Sequence, residues 1–248
     1  MSSQLGYAPK IGDEPSPTLR PRLTSTTAKS ERKHGEAVEH NWAADEALQL
    51  IQQIFLVPTD TPPSVVAFSS VNHRNGCSRI CAAVAEAMAS SGLGSVCLVD
   101  ANFRTPAVAK MFGVIEAPGL KDALTLERPI RSFTIPIADT GLWLLPAGVG
   151  SPSAPGTLAP AQTKKRLEEL RKEFRFVMID LPPLIQYIDA VAVAQHTDGL
   201  VVILEAGSTR KESAEVVAHS LRAANIPILG AVLNKRTFPI PKPIYKFL

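Results

Sequence analysis

The chain has 248 residues, 45% of them hydrophobic and 20% charged, with a net charge of +3. Such a chain can build one α/β domain with a well-buried core and still carry appendages. Its near-neutral balance gives nucleic acid no electrostatic footprint, and no apolar run approaches the roughly 20 residues of a bilayer crossing.

Residues 1–40 are rich in Ser, Thr, Pro and both signs of charge, and are expected to form a disordered tail before a single domain over 41–248. The first periodic segment, 42–55, predicts a helix with Ala47, Leu48, Ile51, Ile54 and Phe55 on one face. A Pro-rich break over 58–63 follows, and an α/β core over 64–234 begins. Val65 to Ser70 reads as a buried strand, and 79–91 as a helix stopped by Gly92. Ser95 to Val99 is a strand ending in Asp100, and Leu142 to Leu145 is another. A charged, exposed helix is expected over 163–174, then a strand over 176–179 ending in Asp180. The strand 199–204 leads to a helix with a capping box from Thr209 to Glu212, and 228–233 is the last strand. These strands are continuous apolar runs, which predicts a mostly parallel, doubly wound sheet covered on both faces. No internal repeat is visible.

The turn after the first core strand, Val71-Asn72-His73-Arg74-Asn75-Gly76-Cys77-Ser78, has the outline of a phosphate-binding loop. Such a loop aims backbone N–H groups and a helix N-terminus at an anion, which Gly76 and Ser78 still permit. The Ser78 hydroxyl is placed to hold Mg²⁺. Cys77 occupies the place of the lysine that bridges the β- and γ-phosphates. Arg74 and Arg79 flank the loop and offer guanidinium groups of different reach and shape. Asp100 and Asp180 end strands at the sheet edge where ligands bind in such folds. Each could hold Mg²⁺ or its water shell, or be a helix-capping or loop aspartate. The three cysteines, Cys77, Cys81 and Cys97, lack zinc-site spacing and fit a reducing, cytoplasmic setting. Cys77, at a helix N-terminus, could sense redox state; the alternative, a small residue filling the loop, is favoured because reactive thiols need a supporting base or cation.

Three further segments carry a resemblance. They are Val99-Asp100-Ala101-Asn102-Phe103-Arg104-Thr105-Pro106, Val177-Met178-Ile179-Asp180-Leu181-Pro182-Pro183 and Leu233-Asn234-Lys235. Together with the loop they resemble the signature blocks of the bacterial tyrosine kinases of capsule and exopolysaccharide synthesis, the CpsD/CapB type, within the deviant P-loop ATPases that include MinD and ParA. The resemblance covers about residue 46 to residue 248. It implies a P-loop NTPase fold, with Arg74, Asn75, Gly76, Cys77, Ser78 and Arg79 around the phosphates and Asn234 near the adenine. It also implies a catalytic or metal-associated role for Asp100 and Asp180, with Ser78 as a third metal-side group. ATP and Mg²⁺ are the implied cofactors if nucleotide binding is retained, and none otherwise.

The departures from that pattern form a coherent set. Cys77 replaces lysine, His73 and Arg74 stand where the family tends to have Pro-Gly or Gly-Gly, and Asn102 replaces a second aspartate. The oligomerisation helix reads Glu46-x-x-Gln49-x-x-Gln52, without the two arginines, and Tyr245 stands near the end with no tyrosine cluster around it. The expectation is a catalytically degenerate regulatory protein of exopolysaccharide synthesis. Its partner would be the cytoplasmic end of a membrane polysaccharide co-polymerase or an active kinase relative, with self-association left open. It would lie in the cytoplasm, peripheral to the inner face of the plasma membrane through that partner. Two alternatives are an active tyrosine kinase with Tyr245 as phosphoacceptor and a MinD/ParA-like positioning ATPase. The basic, Pro-rich segment 235–248 is either a tail packed along the domain or a docking strip for an acidic surface.

Overall fold

A computed structural model describes residues 22–23, 34–56, 58, 61–137, 140–149 and 160–236. In chain order the elements are β1 (Arg22–Leu23), α1 (His34–Phe55), β2 (Val65–Ser70), α2 (Cys77–Ser90) and β3 (Val96–Asp100). Next come α3 (Val108–Met111), β4 (Val114–Ile115), α4 (Leu120–Thr125), a 3₁₀ turn (Ile130–Phe133), β5 (Ile135–Pro136) and β6 (Leu142–Leu145). The last are α5 (Pro160–Glu173), β7 (Phe176–Asp180), α6 (Ile188–Ala194), β8 (Gly199–Glu205), α7 (Lys211–Ala223) and β9 (Ile228–Asn234).

Seven strands form one sheet in the order β5-β6-β3-β7-β2-β8-β9, parallel except for β5 at its edge. Along β2, Val65 and Ala67 enter one apolar core while Val66 and Phe68 enter the other. That two-sided burial explains why the strands read as unbroken apolar runs. α1 and α2 cover one face, where Ala47, Ile51, Ile54 and Phe55 meet Cys81, Ala85 and Met88. α4, α5, α6 and α7 cover the other, through Leu120, Leu170, Val193 and Leu221. The expected doubly wound sheet is therefore present.

Several local expectations need correction. α1 begins at His34, so part of the segment assigned to a disordered tail is helical; Arg22–Leu23 also pairs with Val114–Ile115, while the rest of 1–33 lies outside the described residues. Leu48 is exposed rather than on the buried face. α2 starts two residues before the expected Arg79, because Gly76 in left-handed backbone (φ 88) feeds the loop straight into the helix. α5 is not a fully exposed helix: Thr163, Arg166, Leu167 and Leu170 are buried. Thr209 does not cap α7, whose first residue is Lys211; its hydroxyl turns back and accepts the Glu205 N–H at 2.8 Å.

Candidate functional site

Because α2 crosses from β2 to β3 and β7 returns between them, the carboxyl ends of these strands converge under the loop 71–76. Asp100 and Asp180 are register partners on β3 and β7. A cleft of about 620 Å³ opens above. One wall is the loop and the start of α2, with His73, Arg74, Asn75, Gly76, Cys77, Ser78 and Arg79. The facing wall contains Asn102, Thr105, Ala107, Met111, Leu181 and Pro183. All six residues expected around the phosphates thus share one cavity.

The two aspartates differ in their surroundings. The Asp100 side chain accepts N–H groups from Asn102, Ala107 and Val108, each at 3.1 Å. It ties down its own loop at the start of α3, which is the loop-aspartate alternative seen in the sequence. Burial pushes its carboxyl up to about 6, against the pull of those N–H groups. Asp180 is fully buried, and neither carboxylate oxygen completes a hydrogen bond. Burial, then the charge of Asp100, push it up to about 7; the Ser78 hydroxyl and Cys77 thiol facing it pull only weakly the other way. Asn102, buried beside them, is spent locally: its Oδ1 accepts the Thr105 N–H at 3.2 Å and its Nδ2 donates to Thr105 Oγ1 at 3.1 Å.

Cys77 points the wrong chemistry at this pair. Its thiol is buried against Asp180, and burial followed by the Asp180 charge raise its pKa well above the ordinary thiol value. It stays a neutral thiol at physiological pH, which disfavours the redox-sensing alternative. Cys81, one turn on, is likewise buried and raised. An orphaned buried carboxylate is a fit to a cation, and the loop's N–H groups are a fit to an anion. The positive charge that should join them has no counterpart in Cys77. Among the described residues no three His, Cys, Asp or Glu side chains converge to hold a metal unaided.

Asn234 lies behind the loop, where its Nδ2 donates to the Asn75 carbonyl at 2.7 Å. A side chain at position 76 would collide with this amide, so the site needs glycine for close approach as well as for φ. Lys235 Nζ donates to the Arg74 carbonyl at 2.7 Å and lies 3.2 Å from Glu205 Oε1. The Asn75 side chain is buried; its oxygen accepts from Thr209 Oγ1 and the Glu205 N–H, both at 3.1 Å, while its nitrogen faces the Asn72 and His73 carbonyls. His73 Nε2 is 3.3 Å from the Tyr187 hydroxyl. Sequence reasoning missed Glu205, Thr209 and Tyr187 as site residues. Tyr245, the expected phosphoacceptor, lies outside the described residues.

The architecture has clear relatives. Solved structures with the same arrangement include the VpsO kinase domain, with a TM-score of 0.72, 23% identity, and coverage of 83% of this chain and all of that one. A ParA-family ATPase from Chlorobium tepidum matches with a TM-score of 0.57 at 19% identity over 70% of this chain and 74% of its own. The fold is that of an α/β P-loop NTPase. In sequence, the chain is 26% identical to the tyrosine-protein kinase CpsD of Streptococcus agalactiae over 174 residues, covering 69% of this chain and 75% of CpsD. It is 26% identical over 257 residues to the succinoglycan biosynthesis transport protein ExoP of Rhizobium meliloti, covering 93% of this chain but spanning only 31% of ExoP. No family model matches. These likenesses make the chain a relative of the CpsD-type bacterial tyrosine kinases, on a fold that it shares with a ParA-family ATPase.

Proposed function

We propose that this protein is a catalytically degenerate kinase relative that serves exopolysaccharide synthesis as a regulatory partner. The carrying observation is Cys77, a buried neutral thiol over Asp180 where phosphoryl transfer requires a cation. Removing one preorganised charge from a transfer site costs about 10²–10³ in rate. The second metal-side carboxylate is replaced by Asn102, whose amide is committed to Thr105. Were Mg²⁺-ATP to bind, the loop N–H groups would take the phosphates, Ser78 and Asp180 would hold the metal, and the metal would neutralise charge on the phosphates. The likeness to ExoP and CpsD supports a partner in a membrane polysaccharide co-polymerase or an active kinase. No helix among the described residues is long and apolar enough to cross a membrane.

Calorimetry with Mg-ATP and Mg-ADP tests this reading. The wild type is expected to give no heat, and Cys77→Lys a gain in binding if the missing charge is the principal defect. Micromolar binding by the wild type with sustained phosphate release would overturn it. That outcome would favour an active enzyme using Arg74 or Arg79, both of which line the cleft.

A further inference from the structure

We propose that the loop 73–76 is clamped by the chain's own side chains into one conformation that does not depend on nucleotide. Three consecutive residues are held from three parts of the fold. From the segment before α6, the Tyr187 hydroxyl sits 3.3 Å from His73 Nε2, with the two rings edge-on at 5.7 Å. Tyr187 is itself braced by Arg104, whose guanidinium lies 4.4 Å over the ring and 3.6 Å from Asp189. From the end of β9, the Lys235 ammonium holds the Arg74 carbonyl and the Asn234 amide holds the Asn75 carbonyl, both at 2.7 Å. From β8 and the turn after it, the Glu205 N–H and Thr209 hydroxyl hold the buried Asn75 side chain.

The backbone bears the mark of this clamp. Arg74 (φ 63) and Lys235 (φ 56) are both non-glycine residues in left-handed backbone, and they face each other across one hydrogen bond. Such strain persists only where surrounding contacts over-determine the conformation. His73, one of the positions that depart from the kinase pattern, therefore supplies a holding contact through its side chain, whereas Arg74 offers only its carbonyl. Asn234 is committed to the loop carbonyl instead of being free for a base. A ligand shifts an equilibrium only through its differential affinity for the states, and a loop with one populated state offers none. A partner would meet the same surface with or without nucleotide.

Backbone ¹⁵N relaxation on the full chain tests the clamp, read as the order parameters of 73–76 with and without saturating Mg-ATP. In the wild type these are expected to match the rigid Val177–Ile179 of β7, at about 0.85, and to stay there on adding Mg-ATP. The double variant Asn234→Ala, Lys235→Met is expected to lower them below about 0.6, with β7 unchanged. Order parameters below about 0.6 in the wild-type loop, ordering that arises only with Mg-ATP, or an unaltered double variant would overturn the proposal. Should the double variant also loosen β7, Tyr187→Phe reads the clamp from its other side. A fall at 73–76 supports it, and no fall overturns it. Nucleotide binding with sustained phosphate release and no change at 73–76 would sink the degenerate-enzyme reading and leave the clamp standing.

Discussion

Arg74 shows how one residue's backbone can matter more than its charge. A left-handed φ of 63 costs a residue with a Cβ about 1–2 kcal/mol, and glycine escapes that cost while losing more entropy on folding. Because the contact to Lys235 uses the carbonyl, Arg74→Gly keeps it. The expected result is a gain of about 0.5 kcal/mol in stability, read as a higher denaturant midpoint at unchanged slope. Cys77 gives a second residue-scale expectation. The residue is 8% exposed and its thiol pKa is raised by burial, so alkylation at pH 7.5 should label it far more slowly than a free thiol. Rapid modification of the native protein at Cys77, located by peptide mapping, would contradict the packing described.

At the scale of elements, the sequence reveals what is periodic and hides what is long-range. β2, β3, β7 and β8 are legible because both their faces are buried, and Asp100 and Asp180 are legible because each stands at the end of such a run. The loop residues are legible because they are consecutive. The clamp is not: His73 meets Tyr187 across 114 positions, and Arg74 meets Lys235 across 161. α3, α4 and β5 are too short to impose a period of their own. α5 misleads for a different reason, since its charged letters include one that is buried. Arg166 donates from Nε to the Ala123 carbonyl at 2.6 Å, and from its two terminal nitrogens to the Leu126 and Arg128 carbonyls and to Glu169. It satisfies the open carbonyl end of α4 and fastens α4 to α5. Arg166→Ala takes the guanidinium from the Ala123 and Arg128 carbonyls, while Leu126 keeps the Arg128 N–H, and is expected to cost about 3 kcal/mol in chemical denaturation. Arg166→Lys should recover only part, because one ammonium cannot reproduce the planar fork. A loss below about 0.5 kcal/mol would show that water replaces the guanidinium without penalty.

For the molecule as a whole, the buried carboxylates set the dependence of stability on pH. Asp100 and Asp180 titrate near 6 and 7 in the folded state, against 3.8 for an ordinary aspartate. Both shifts are upward, so the folded state holds its protons to higher pH than the unfolded chain does. Between about pH 4 and 7 the unfolded chain therefore binds fewer protons, and stability falls as pH rises through that window. The pair's contribution is most favourable below pH 4, declines to about pH 7, and then levels. This is opposite to the behaviour of a salt-bridged aspartate, which is destabilised by acid. Each pK unit is worth about 1.4 kcal/mol, so Asp180 alone accounts for a loss on the order of 3 kcal/mol across the window. Asp180→Asn removes the charge while keeping a similar shape. Relative to wild type, it is expected to be more stable above pH 7 and to lose that advantage toward pH 4. Thermal melts of both proteins from pH 4 to 8 decide the matter. Parallel profiles would mean that Asp180 ionises freely when folded, and that the orphaned carboxylate exerts no strain on the sheet edge.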